Sequence, residues 1–151
     1  MLRLPRKALY ALEAVVDIAF NARPDPVQAK EITRRQGIPP RYLEQVMQQL
    51  VHAGVLKGVR GPRGGYVLAR ERRRISVADI VTAIQALERD GGDDIGESRS
   101  ALGQKVVRPL WDEVEAELVD RLAGISLEEL CARARDIGIR AQGDEPGDFS
   151  I

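Results

Sequence analysis

Few side chains in this sequence carry the means for covalent chemistry, and their spacing does not bring them together. The sole histidine, His52, falls near the end of a helical run with no nucleophile beside it in sequence. A helix C-terminus tolerates an imidazolium, so His52 reads as a surface or cap-adjacent residue. The sole cysteine, Cys131, sits between Leu130 and Ala132 and reads as a buried structural thiol, with only Arg133 and Arg135 nearby to make it reactive. One cysteine excludes an internal disulfide. With no CxxC pair and no Cys/His cluster, it also excludes an all-protein zinc or four-cysteine iron–sulfur site within one chain. The glycine-rich stretch GPRGG, residues 61–65, lacks the lysine and hydroxyl of a phosphate-cradling loop and the strand-to-helix context such a loop needs. The carboxylates fall mainly on helix exteriors, where they are solvated. No enzymatic activity and no resident cofactor are expected.

Recognition chemistry is better represented. Val59 to Leu68 reads VRGPRGGYVL, two apolar runs flanking a bend that holds Arg60, Gly61, Pro62, Arg63 and Gly64. Glycines leave no side chains to block a close approach and Pro62 stiffens the bend, so Arg60 and Arg63 could enter a minor groove. Upstream, Arg41, Tyr42, Glu44, Gln45 and Gln48 lie off the apolar stripe of one helical run. Glutamine can pair with an adenine edge and glutamate can accept from cytosine N4. Glu44 is also a first-turn carboxylate, which stabilises a helix without any ligand. Arg34, Arg35 and Arg41 suit phosphates, which position a protein without specifying sequence.

Charge distribution points the same way. The formal net charge of zero at pH 7 conceals fifteen Lys/Arg against six Asp/Glu up to residue 74, and eight against seventeen beyond it. A basic N-terminal half suits a polyanion, because phosphate contacts release counterions and dominate affinity. The alternative is that the two halves simply attract each other. No apolar run approaches the ~18 residues of a membrane helix, and the N-terminus lacks a signal-peptide pattern, so a cytoplasmic protein is expected.

These side chains need positioning elements. KALYALEAVVDIAFNA, residues 7–22, places Leu9, Leu12, Val15, Val16, Ala19 and Phe20 at helical spacings with Asp17 off the stripe. A short helix over 28–36 ends at Gly37, a turn through Ile38-Pro39-Pro40 follows, and residues 41–53 form a third helix with Leu43, Val46, Met47, Leu50 and Val51 inward. Two helices joined this way, followed by a hairpin whose tip is GPRGG, have the order of a winged helix-turn-helix. Ser76 and Asp79 cap a helix to residue 88, residues 90–104 read as a loop or linker, and residues 105–122 form a long helix. Its apolar positions include Leu110, Trp111, Val114, Leu118 and Leu122, and its outer face is acidic; a two-fold-related copy would bury them. Pro109 either starts or kinks this helix. Ser126 and Glu129 open a last helix as a capping box, and residues 137–151 read as a disordered tail. The organisation expected is therefore a DNA-binding domain over 1–89, the linker, dimerisation helices over 105–136, and the tail. The fold class is mainly α with a small β-hairpin wing.

The stretch RYLEQVMQQLVHAGVLKGVRGPRGGYVLA, with Tyr10-Ala11 before it and Leu110-Trp111 after it, resembles the Rrf-two family of winged-helix transcriptional regulators, the IscR, NsrR and CymR type. The YLEQ helix, Tyr42 to Gln45, and the VRGxxGGYxL wing carry the likeness, which covers about residues 1–136. It implies a homodimeric regulator, most often a repressor, with crossed long helices on an inverted-repeat DNA operator. Cluster-binding members carry three cysteines in the loop before the long helix, whereas this loop offers Asp93, Asp94, Glu97 and Arg99, with Arg108 near where some members place a histidine. Arginine cannot replace thiolates, so an iron–sulfur cluster is not expected. The likeness is to cluster-free members, which respond to a metabolite, a partner enzyme or thiol oxidation. Two alternatives stay open: a protein-binding adaptor without sequence-specific DNA binding, and a cluster held by unusual ligands.

Overall fold

The structure, a computed structural model, describes residues 4–21, 25–90 and 99–141. The acidic loop residues Asp93, Asp94 and Glu97 and the expected tail beyond residue 141 lie outside these.

The first helix, α1 (Arg6–Phe20), starts after Pro5, whose carbonyl accepts the amides of Ala8 and Leu9. It is the central element, packed on by α2 (Ala29–Gln36), α3 (Pro40–His52), α4 (Val77–Asp90) and α6 (Leu127–Asp136). Its buried face is Ala8, Ala11, Ala14, Val15, Ile18 and Ala19. This corrects the sequence expectation, since Leu9 is 44% exposed and Asp17 is buried. The reason is crowding: a helix with neighbours on several sides needs small side chains for close approach, so alanines take the core face and larger residues pack at its margin. Leu12, Val16 and Phe20 are such margin residues. Val51, expected inside, is 37% exposed at the end of α3.

α2 opens with the Gln28 amide donating to Glu31 Oε2 at 3.1 Å and closes at Gly37, whose φ of 68° is left-handed. Ile38 plugs the core from the turn, and Pro40 starts α3. Strands β1 (Leu56–Val59) and β2 (Gly65–Leu68) pair antiparallel with Leu56 opposite Leu68 and Val59 opposite Gly65. Val27, just before α2, exchanges two backbone hydrogen bonds with Tyr66 (3.0 and 2.8 Å), tying the hairpin to the helix-turn-helix.

A single 3-10 turn (Arg72–Arg74) leads to α4, where Ser76 and Asp79 form the expected reciprocal cap at 2.9 and 3.1 Å. Helical structure resumes at Ala101, inside the stretch expected as linker, with Ser100 Oγ accepting the Gly103 amide at 3.0 Å. Gly103–Val107 is π-helical and runs directly into α5 (Arg108–Ala123). Pro109 accounts for the widening, because its ring would clash with the carbonyl four residues back and it has no amide to donate. Pro109 stands in the first turn of α5, one of the two places the sequence allowed it, and the wider turn before it accommodates its ring.

The α5–α6 connection is stitched beside residues 75–77. Val77 donates to Ile125 O and Leu127 donates to Ile75 O, both at 2.9 Å. This carries Leu127 and Cys131 into the main core, each 0% exposed. α6 therefore packs with the winged-helix core. Ser126 Oγ accepts the Glu129 amide at 3.2 Å, but Glu129 turns its carboxylate to Arg133, leaving half of the expected capping box.

Candidate nucleic-acid interface

The outward stripe of α3 consists of Arg41, Glu44, Gln45 and Gln48, all exposed and spaced as neighbours on one helix face. Leu43, Val46, Met47 and Leu50 occupy the opposite face and are buried. Gln49 Nε2 donates to Ala83 O at 3.0 Å, which pins α3 to α4 behind that stripe. Tyr42 is half-buried: its ring lies 6.0 Å from that of Tyr10 on α1, and the Arg41 guanidinium lies 6.0 Å from the Tyr42 ring centre.

Arg60, Gly61, Pro62 and Arg63 are exposed at the tip of the hairpin, with Gly64 half-buried beneath them. Folding itself demands the glycines. Gly61 has φ 112°, a Cβ on Gly64 would strike the carbonyl oxygen of Val59, and one on Gly65 would strike that of Val27. The turn thus requires these glycines before any ligand is considered.

Arg34 is exposed on α2, as a phosphate contact requires. Arg35 departs from the sequence reading. Its Nε donates to Asp17 Oδ2 at 2.9 Å and its Nη2 to Asp17 Oδ1 at 2.7 Å, while Gln36 Nε2 adds a bond to Oδ2 at 2.8 Å. The hydrogen bonds and charge of Asp17 raise the guanidinium's pKa despite its partial burial. A buried carboxylate holds this arginine, which gives it a structural partner that the sequence reading did not foresee. Part of the basic half is also occupied elsewhere. Arg70 bonds Arg74 O (3.1 Å) and lies 3.6 Å from Asp79, Arg73 pairs with Glu71 at 2.6 Å, and Arg72 lies near the Cys131 thiol.

Sequence reading missed Asp17, Gln36, Tyr10 and Val27. Asp17 meets its partners 18 and 19 residues away, and nothing in the local pattern separates this acid from the exposed Glu13 on the same helix.

An outward polar helix face after a tight turn, with an arginine-tipped wing on the same scaffold, defines a winged-helix DNA-binding transcriptional regulator, a non-enzymatic class. The family model described as Rrf2, iron-dependent transcriptional regulator, matches residues 4–133, and the chain belongs to that family. It is 34% identical over 147 residues to the HTH-type transcriptional regulator IscR of Xenorhabdus nematophila, covering 95% of this chain and 89% of that one. To IscR of Vibrio cholerae it is 35% identical over 134 residues, covering 85% and 75%. Among solved structures, IscR of T. potens superposes with a TM-score of 0.71 at 33% identity, covering 94% of both chains. CymR, described as the global cysteine regulator of B. subtilis, gives 0.68 at 27% identity, covering 88% and 98%.

The family description includes iron, so the donor set bears on the chemistry. Thiolates hold iron–sulfur clusters. This chain has one, Cys131, enclosed in the core, and no group of three His, Cys, Asp or Glu side chains gathers among the described residues. Among the described residues, then, no set of donors gathers that would hold such a cluster.

Proposed function

We propose that the chain is a cytoplasmic homodimer that represses transcription from a near-palindromic operator, without an iron–sulfur cluster. The observation that carries this reading is the exposed α3 stripe backed by buried core and flanked by the wing. Glu44, Gln45 and Gln48, with Tyr42 at the first turn, read the major groove. Arg60 and Arg63, carried by Gly61, Pro62 and Gly64, enter the minor groove, while Arg34 and Arg41 hold phosphates. Dimerisation rests on α5, where Leu110, Trp111, Val114 and Leu118 are 42–58% exposed and Leu122 half-buried. No helix among the described residues is long and apolar enough to cross a membrane. The effector is a metabolite or a partner enzyme rather than a cluster, because the donor set lacks thiolates.

Selection of bound duplexes from a random pool tests the reading. An inverted repeat should emerge, and replacing Arg60 or Arg63 by Ala should weaken binding and lower the salt slope, since each substitution removes a cation from the DNA surface. Recovery of no preferred sequence, with a stable protein complex in pull-down, would make the chain an adaptor instead.

A further inference from the structure

The buried acid of α1 is not needed to fill the core. An ion pair in such a place stabilises no better than apolar side chains of similar volume, so its retention points to geometry. Asp17 has a fully enclosed side chain that receives three hydrogen bonds, two from the Arg35 fork and one from Gln36. A two-pronged guanidinium–carboxylate contact fixes both distance and plane, whereas an apolar contact can slide. The residues it holds are the last two of α2, immediately before the left-handed Gly37. On the far side of the turn, Tyr42 in the first turn of α3 rests against Tyr10, with ring centres 6.0 Å apart and planes at 36°. Tyr10 and Asp17 stand two helical turns apart on one side of α1, roughly 10 Å along its axis.

We infer that α1 sets the placement of the recognition helix by gripping both flanks of the turn, with Asp17 and Tyr10 as positioning residues for sequence-specific DNA binding. The inference rests on the DNA-reading function proposed above. Without the grip, α3 still forms and the basic surface still meets phosphate, but Glu44, Gln45 and Gln48 no longer reach base edges in register. Specific and non-specific affinity should therefore separate, which a purely stabilising role would not produce.

The experiment uses the full chain, the best duplex selected by the parent protein, and long mixed-sequence DNA, each titrated at several salt concentrations. The variants are Asp17→Val with Arg35→Met, which replaces the ion pair by apolar volume, and separately Tyr10→Leu. Each should melt cooperatively and bind mixed-sequence DNA with the parent's salt slope. Affinity for the selected duplex should fall by about tenfold or more, as expected for one misaligned base contact in each half-site. Parent-like affinity for that duplex in a folded variant overturns the inference. So does an equal loss on both DNAs with a lowered salt slope, which would make Arg35 a phosphate contact. If the double variant fails to fold, Tyr10→Leu decides alone. If the parent selects no sequence, the proposed function fails first, and that outcome is distinct from parent-like binding by a variant.

Discussion

Cys131 shows how neighbours decide what a reactive group can do. Burial raises its thiol pKa, and the opposing charges of Arg72 and Arg135 do not reverse the shift. Arg72 comes from the turn before α4, so the sequence reading, which weighed only Arg133 and Arg135, missed it. The thiol is the protonated form in the fold and an inert one. The linkage follows from that direction. Above the unfolded pKa of about 8.5 the unfolded chain releases the proton while the folded chain keeps it, so stability falls as pH rises from there. Thermal melts across pH 7 to 10 should show a steeper alkaline loss in the parent than in Cys131→Ala. Parallel curves would remove the thiol from the pH dependence. Its burial was legible from the apolar neighbours Leu130 and Ala132, but its partner was not.

Among elements, the wing is where local sequence and structure agree most closely. A glycine-rich bend between apolar runs announces a hairpin, yet only the fold reveals that Gly65 is needed for the backbone of Val27 rather than for the bend. Gly65→Ala should open the Val27–Tyr66 pairing and cost about 1–3 kcal/mol in urea unfolding. Gly58→Ala in the same hairpin meets nothing within 4 Å and should stay within about 0.5 kcal/mol. Equal effects would show that the tie between wing and helix-turn-helix is dispensable. The helical start at Ala101 was hidden for the opposite reason. Its turns carry few apolar anchors, and Leu102, Val106 and Val107 are 57–72% exposed, so no buried stripe marks them.

At the scale of the whole molecule, α5 has no buried residue, although α4 and α6, its neighbours in sequence, do contribute to the core. A large exposed apolar face of this kind marks an association surface. If the proposed homodimer rests on this face, replacing Leu110 and Leu118 together by Asp should give a monomer in sedimentation equilibrium without lowering helix content, since both side chains are half exposed. The monomer should lose most of its affinity for a two-site operator duplex, because each half-site then binds alone. A variant that still sediments as a dimer would place the interface elsewhere.

The sequence by itself determined the order of elements, the inward face of α3 apart from Val51, the hairpin with its arginines and the family resemblance. All of these are encoded by periodicity and turn residues within a few positions of one another. Tertiary structure alone decided which face of α1 is core, that Asp17 claims Arg35, that α6 belongs to the winged-helix core, and that Val27 makes the wing part of the same body. Each depends on partners far apart in the chain, and a buried charge pair or a crowded alanine face has no signature until the surrounding helices are in place. Arg34 and Arg35 look equivalent as letters in a basic run. Only the fold, by burying a carboxylate beside one of them, separates a surface cation from a structural one.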